Sequence, residues 1–214
     1  MDLDSASILL ERAIPGTSLR ALDDRREQLS VGAHMVRDLP LKVKVSNRLP
    51  SYLRWLEAAA DMLDRTTAPK FLQTFLESAS EQYEMLLVPG EKAALLHGDL
   101  HHDNILRVGT DRWVAIDPQG VTGPAVLEAG RFIQNHSVPE FGSMNWDDLE
   151  RTITCVAEVM KQPYLRVLRA FFILHVLSMC WDWEMHAEDG KLEGARRQCH
   201  EILYGITGRL SGAS

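Results

Sequence analysis

The residues best suited to chemistry lie in one polar segment, His97 to Asn104, which follows a short apolar run. Asp99 and Asn104 stand in the spacing His-x-Asp-x-x-x-x-Asn, and Asp117 follows thirteen residues after Asn104. Phosphoryl transfer needs an aspartate that accepts and orients the attacking hydroxyl, together with oxygen ligands that hold Mg²⁺ against the phosphates of a nucleotide. Mg²⁺ is a hard cation, so a carboxylate and an amide oxygen suit it. The pattern therefore favours phosphoryl transfer.

Another chemistry is open to the same segment, because three histidines and two aspartates lie within residues 97–103. Such a cluster can bind zinc in a hydrolase. The spacing matches neither H-x-H-x-D-H nor H-E-x-x-H, so a metal-dependent hydrolase is the remote alternative. No G-x-S-x-G sequence occurs, which argues against a serine nucleophile. We expect His97 to brace the loop by hydrogen bonding.

The elements that must position this segment are mainly helical. Apolar residues recur at helical spacing, and Ser51 is a plausible N-cap for the second helix. The predicted helices span residues 23–37, 51–65, 69–86, 125–134, 146–160, 163–184 and 192–208. Strands are predicted at 7–12, ending at Pro15-Gly16, and at 105–108 and 113–116, which form a β-hairpin. The helix at 163–184 is apolar almost all round, so we expect it to be central.

Several stretches resemble one known family, the aminoglycoside/hydroxyurea antibiotic-resistance kinases, which include streptomycin 6-phosphotransferases. The resemblance is most specific from His97 to Leu106 and from Trp113 to Gly123. Residues 9–16 resemble the family's hinge, and residues 128–135 resemble its helix after the metal loop. The segment 180–190, with its tryptophans and acids, resembles the end of a C-terminal helix of the family.

The resemblance implies the C-terminal lobe of a protein-kinase-like fold, a mainly α (α+β) structure with a small catalytic β-hairpin. It implies transfer of phosphate from ATP, with Mg²⁺, to a small cationic hydroxylated substrate such as an aminoglycoside. Asp99 would be the catalytic base, and Asn104 and Asp117 the magnesium ligands. Backbone groups near Ala13 and Glu11 would hold adenine. Three acidic residues are candidates for contacts with cationic groups of the substrate: Asp182, Glu184 and Glu188.

The sequence departs from the kinase pattern at its beginning. In kinase-like enzymes a glycine-rich loop and a lysine precede the hinge, whereas here the first glycine is Gly16 and the first lysine is Lys42. We therefore expect the β-rich N-terminal lobe to be missing, and a non-catalytic remnant or binding module is the alternative function. The surface left by that lobe would favour self-association. The expected domains are a remnant strand and hinge-like segment (1–16) and a helical catalytic lobe (17–214) with a catalytic loop (97–104) and a metal loop (117–123).

Composition limits the classes of partner. Thirty acidic and 23 basic residues give a net charge of −7, so electrostatic capture of nucleic acid is not expected. The 12-residue apolar stretch Ala170–Trp181 is too short to span a bilayer, and we expect no membrane partner. Three cysteines without a C-x-x-C pair, and the absence of a basic N-terminal signal region, favour a reducing, cytoplasmic location.

Overall fold

The computed structural model describes residues 11–42, 49–138, 144–186 and 189–211. Within these residues the chain forms seven α-helices and five short strands. The strands are β1 (Pro15–Ser18), β2 (Ala94–Leu96), β3 (Ile105–Val108), β4 (Arg112–Ala115) and β5 (Val121–Gly123). The helices are α1 (Arg25–Asp38), α2 (Tyr52–Asp64), α3 (Lys70–Glu84), α4 (Glu128–Ser137), α5 (Trp146–Met160), α6 (Tyr164–His186) and α7 (Asp189–Ser211).

Helix α6 is the centre of the core, as its nearly continuous apolar sequence predicts. Its residues from Val167 to Leu168 and from Ala170 to Leu177 are fully buried, and α2, α3, α4, α5 and α7 all pack against it. The helix is long and apolar enough to cross a membrane by those criteria alone. Its apolar window is 72% buried inside the protein, which is the environment of a core helix.

The helix predictions are confirmed to within a few residues, because local signals fix helix ends. The Ser51 hydroxyl accepts a hydrogen bond from the Arg54 N–H at 3.2 Å, so Ser51 is the N-cap of α2. The side chain of Asn145 caps α5 in the same way, through the Asp148 N–H. Lys161, in the left-handed conformation, ends α5.

The strands depart from the sequence predictions at two places. Pro15 and Gly16 were expected to end a strand over 7–12, but they lie within β1. Residues 7–10 of that predicted strand lie outside the described residues, and Glu11 and Arg12 are not in a strand. Proline is tolerated here because it is the first residue of a strand at the edge of the sheet.

The predicted hairpin of β3 and β4 is confirmed, and β1 extends it to a three-stranded antiparallel sheet of order β1-β3-β4. The second departure is β5, which the predicted metal loop 117–123 treated as loop. β5 pairs antiparallel with β2 in a separate two-stranded sheet, with Leu96 opposite Val121. The polar segment 97–104 lies between β2 of one sheet and β3 of the other. Its first residue, His97, lies beside residues 116–120, which follow β4.

Candidate functional site

The loop after β2 is braced by His97, as the sequence analysis expected. The His97 Nε2–H donates to the Ile116 carbonyl at 2.8 Å, and its Nδ1 accepts the Asp99 N–H at 3.3 Å. The His97 carbonyl in turn accepts the N–H groups of Gln119 and Gly120 at 2.9 and 3.2 Å. Burial lowers the pKa of the His97 ring, which fits a neutral, structural imidazole. One residue thus joins the predicted catalytic loop to the predicted metal loop.

The buried side chain of Glu128 binds the backbone of the same loop. Glu128, the first residue of α4, is 1% exposed and accepts the N–H groups of His97 and Gly98 at 2.6 and 3.3 Å. Its burial raises the pKa of the carboxyl group to about 7, against the opposing effect of these two hydrogen bonds. A helix N-terminus favours a negative charge at this position. Glu128 therefore fixes the backbone just before Asp99.

Gly98 is required by both its conformation and its surroundings. Its φ is +80°, in the left-handed region that favours glycine. A Cβ atom there would lie 2.7 Å from the Val121 side chain and 3.2 Å from Trp55 Cη2. Because the loop turns tightly against β5 and α2, the next side chain, that of Asp99, is directed outward and is partly exposed.

The Asp99 carboxylate is held by an arginine from α4. Arg131 Nε donates to Asp99 Oδ1 at 2.8 Å, and the two side chains are 30% and 20% exposed. The other oxygen, Oδ2, lies 3.7 Å from His101 Nε2. One carboxylate oxygen is therefore oriented by a charged hydrogen bond, while the residue stays open to an incoming group.

Asn104 and Asp117 are brought together by the start of the β3–β4 hairpin. Asn104 Nδ2 donates to the Asp99 carbonyl at 3.0 Å, which leaves its amide oxygen as the group available to a cation. The Ile116 N–H donates to the Asn104 carbonyl at 2.9 Å. Asp117 directly follows Ile116, so this hydrogen bond brings the backbone of Asp117 close to that of Asn104. Asp117 has a φ of +58°, and such strained conformations are concentrated at functional sites.

The chemistry of this donor set fits Mg²⁺. One amide oxygen and one exposed carboxylate are hard ligands, and they leave most of an octahedral shell for phosphates and water. Zinc prefers nitrogen and sulfur ligands. Within the described residues, no three or more His, Cys, Asp or Glu side chains are grouped so that they could hold a metal ion.

Behind the loop, His102 and His136 are stacked with Phe132. His102 is 2% exposed and His136 is 4% exposed, and their ring nitrogens are 3.1 Å apart. Burial lowers the pKa of His102 to about 3 and that of His136 to about 4. Both rings are therefore neutral near pH 7.

The remaining predicted site residues lie on elements other than the loop and the β3–β4 hairpin. Glu11 is exposed and Ala13 is half-buried, just before β1. Asp182 is half-buried and Glu184 is exposed, both near the end of α6, and Glu188 lies outside the described residues. Asp103 is exposed and pairs with Arg20 at 2.7 Å.

Sequence reasoning assigned no role to Arg131, Glu128 or Trp55. The first two lie three residues apart on a largely buried helix, and a charged pair on such a helix is a signal that buried polar partners exist. Trp55 touches the loop across a tertiary contact that no local pattern encodes. It also meets Trp181 edge to face, with ring centroids 5.6 Å apart. This contact links the end of α6 to the loop that carries Asp99.

Solved structures that share this fold include a choline/ethanolamine kinase family protein and a choline kinase, which have a protein-kinase-like fold. A choline/ethanolamine kinase family protein from Mesorhizobium loti superposes with a TM-score of 0.64 at 13% identity, over 92% of this chain and 68% of that one. A choline kinase from Cryptosporidium parvum gives a TM-score of 0.57 at 13% identity, over 96% and 71%. The described residues are mostly helical with two small sheets, and they share this protein-kinase-like fold.

The chain belongs to the aminoglycoside/hydroxyurea antibiotic resistance kinase family, whose sequence model matches residues 1–186. It is 32% identical to a streptomycin 6-kinase from Streptomyces glaucescens over 181 residues, which cover 81% of this chain and 51% of the relative. It is 29% identical to a hydroxyurea phosphotransferase from Kitasatospora aureofaciens over 220 residues, 97% of this chain and 59% of the relative. A streptomycin 3''-kinase from Klebsiella pneumoniae is 31% identical over 107 residues, 49% and 40%. The chain thus spans about half the length of these relatives.

The buried titratable groups predict a specific pH dependence of stability. Below pH 6.5 the unfolded chain binds protons at His136 and His175 that the folded protein does not, because burial lowers the pKa of each to about 4. Stability therefore decreases as the pH falls from 6.5 to about 4. Glu128 acts in the opposite direction: its contribution is complete below its unfolded pKa of 4.5 and is lost as the pH rises to about 7.

Replacing Glu128 by Gln removes this opposing contribution. We expect the free energy of unfolding of the Glu128→Gln protein to rise more steeply with pH between 4.5 and 7, by about 1.4 kcal/mol per pH unit. Urea unfolding at a series of pH values measures this slope. Glu158→Gln, at an exposed position on α5, is the control and should leave the slope unchanged. Equal slopes for wild type and Glu128→Gln would contradict the assignment of a buried, proton-retaining carboxyl group.

Proposed function

We propose that this chain is the catalytic lobe of an ATP-dependent O-phosphotransferase that acts on a small, cationic, hydroxylated substrate such as an aminoglycoside. The observation that carries the proposal is the arrangement of Asp99, Asn104 and Asp117 around one hydrogen-bonded loop. Asp99 is oriented by Arg131, Asn104 is bonded to the backbone of Asp99, and Asp117 follows the backbone partner of Asn104. The kinase relatives support the type of reaction.

In this proposal the Asp99 carboxylate orients the acceptor hydroxyl and accepts its proton as the oxygen attacks the γ-phosphorus of ATP. The new bond joins the acceptor oxygen to phosphorus, the bond from phosphorus to the β–γ bridging oxygen breaks, and ADP leaves. Arg131 fixes one carboxylate oxygen at 2.8 Å, so the other faces the acceptor. Holding a base in a defined orientation lowers the entropic cost of the reaction.

Asn104 and Asp117 are the proposed magnesium ligands. When bound, Mg²⁺ would neutralise charge on the nucleotide phosphates. The role of Asn104 is supported by the commitment of its amide nitrogen to the Asp99 carbonyl, which orients the amide oxygen. The left-handed backbone of Asp117 supports its role, because such a conformation costs energy and is retained where a side chain must take a particular direction.

Ala13 and Glu11 are the proposed contacts for the adenine end of ATP. The Ile14 carbonyl accepts the Gly109 N–H at 2.8 Å, so this segment lies at the far end of β3 from Asn104. A four-residue strand spans about 13 Å, which separates the base of a nucleotide from its terminal phosphates. The separation supports a nucleotide lying along the hairpin, with its phosphates toward Asn104.

The acceptor is proposed to lie between the loop and the end of α6. Trp181 packs against Trp55, whose ring reaches Gly98, so the acidic end of α6 adjoins the loop of Asp99. Asp182 and Glu184 follow directly and provide negative charge for amine or guanidinium groups. Exposed ion pairs are individually weak, so these acids would select cationic acceptors by small increments.

We also propose self-association through the β1-β3-β4 sheet, as the surface that a missing N-terminal lobe would leave exposed. Ile14 is 66% exposed and Ile116 is 37% exposed, and the outer edges of β1 and β4 have no strand neighbours within the described residues. Exposed apolar residues at sheet edges favour association. The expected result is a dimer by light scattering at micromolar concentration that Ile14→Ser converts to a monomer. A wild-type protein that is monomeric under these conditions would contradict this proposal.

The base role predicts the effect of a single substitution. We expect Asp99→Asn to reduce phosphate transfer from radiolabelled ATP to streptomycin at least about 100-fold, because the amide cannot accept the proton. Calorimetry should show streptomycin binding within about threefold of wild type. Asp103→Asn is the matched control in the same loop, since Asp103 is exposed and forms a weak surface ion pair.

Retained turnover in Asp99→Asn would remove Asp99 from the base role. A wild-type chain that binds streptomycin but transfers no phosphate would favour the alternative, a non-catalytic binding module.

The acceptor position predicts a salt-dependent effect on affinity. We expect Asp182→Asn with Glu184→Gln to weaken streptomycin binding by roughly 3- to 10-fold at low ionic strength, and less at high ionic strength. Glu158→Gln is the control, because Glu158 lies near the end of α5, shortly before α6 begins, whereas Asp182 and Glu184 lie near the end of the 23-residue helix α6. Calorimetry at two salt concentrations measures both. An equal loss in the control, or none in the double variant, would place the acceptor elsewhere.

A further inference from the structure

Three aromatic rings behind the catalytic loop form a continuous stack. The ring of His102 lies 5.0 Å from Phe132 and 5.2 Å from His136, with interplanar angles of 21° and 14°. Phe132 and His136 come from the same face of α4, and Gly32 of α1 makes space behind Phe132. All three rings are almost completely buried, so the stack is rigid.

The two imidazoles share one hydrogen bond. His102 Nε2 and His136 Nδ1 are 3.1 Å apart, and between two neutral rings one nitrogen must donate and the other accept. The other nitrogen of His102, Nδ1, is buried and has no hydrogen-bond partner within the described residues. A buried N–H without a partner is rarer than a buried acceptor without one. We therefore assign the proton of His102 to Nε2, which donates to His136 Nδ1.

The positions of these residues in the chain give the bond a role. His102 lies in the loop between Asp99 and Asn104, and His136 lies on α4 five residues after Arg131. The Arg131–Asp99 ion pair is partly exposed, and a long arginine side chain can follow a displaced aspartate. Two short, buried ring side chains cannot follow such a displacement. The histidine bond is thus a stiffer connection between the loop and α4 than the Arg131–Asp99 ion pair.

The end of α4 that carries His136 is itself held. Arg25 of α1 donates to the His136 carbonyl at 2.8 Å and also pairs with Asp148 of α5 at 3.3 Å. The Ser137 hydroxyl donates to Thr152 of α5 at 2.8 Å. Because α4 is fixed to α1 and α5 at this end, a bond from His136 to the loop transmits that fixed position to Asp99.

We propose that His102 and His136 are positioning residues, whose mutual hydrogen bond holds the catalytic loop on α4 in the arrangement that joins Asp99 to Arg131. The role in catalysis rests on the proposed phosphotransferase function, whereas the structural coupling does not. Neither residue touches the reacting groups. Their effect on the reaction passes through the orientation of the Asp99 carboxylate.

Amide side chains provide a test that depends on position. The amide of Asn occupies the place of a histidine Nδ1, and the amide of Gln occupies that of Nε2. His102→Gln and His136→Asn can therefore keep the bond between the two positions. His102→Asn and His136→Gln introduce the same amide group but place it where the bond cannot form. The readout is the Arg131 Nε–H signal in ¹H–¹⁵N spectra of the whole chain, which reports its hydrogen bond to Asp99.

We expect the Arg131 signal to stay at its wild-type position in His102→Gln and His136→Asn, and to shift or exchange away in the two mismatched variants. If the chain transfers phosphate, kcat should fall roughly 10- to 100-fold in the mismatched variants only, with little change in KM for ATP. Equal spectra for matched and mismatched variants would overturn the proposal.

A measurement on the wild-type protein keeps the proposal testable if a variant fails to fold. Imidazole ¹⁵N shifts should show His102 protonated at Nε2 and His136 unprotonated at Nδ1. The reverse tautomers would overturn the assignment. Absence of phosphate transfer in the wild type would contradict the proposed function alone, because the spectra do not depend on turnover.

Discussion

The site depends on one constraint: the loop must bury its backbone while it presents Asp99 to the outside. A buried backbone N–H without a partner is costly, and no strand of the described residues pairs with the loop to supply one. Glu128 accepts the N–H groups of His97 and Gly98, and the His97 ring and carbonyl bind the chain after β4. With these groups paired, the loop can turn at Gly98 and expose the next side chain.

A single helix supplies most of the partners of that loop. Glu128, Arg131 and His136 all come from α4, over nine residues, and each meets a different part of segment 97–104. The helix packs against α6, α5 and α1, so its own position is fixed by the core. The geometry of the site therefore depends on how α4 packs. Helix α6 influences the site through its packing against α4.

The sequence was sufficient for the parts of the fold that local patterns encode. Helix ends at Ser51 and Asn145 follow from capping, and the β3–β4 hairpin follows from alternation around a turn. Strands β1 and β5 were not recognised, because each is only three or four residues long and pairs with a distant segment. The motif in 97–104 identified the candidate residues. Their buried supports were not found, since Arg131 and Glu128 lie about 30 residues away and pair only in the folded chain.

The Trp55–Trp181 contact joins two helices, α2 and α6, that lie outside the loop, and this has a consequence for how substrate preference could evolve. The proposed catalytic base and magnesium ligands lie in one continuous stretch between β2 and α4, whereas the proposed acceptor wall is built by α2 and α6. Substitutions at the exposed ends of those two helices can change the shape and charge offered to an acceptor without altering any hydrogen bond of the loop. Under the proposed function, substrate range and reactivity are therefore separable traits, and each can change under its own selection.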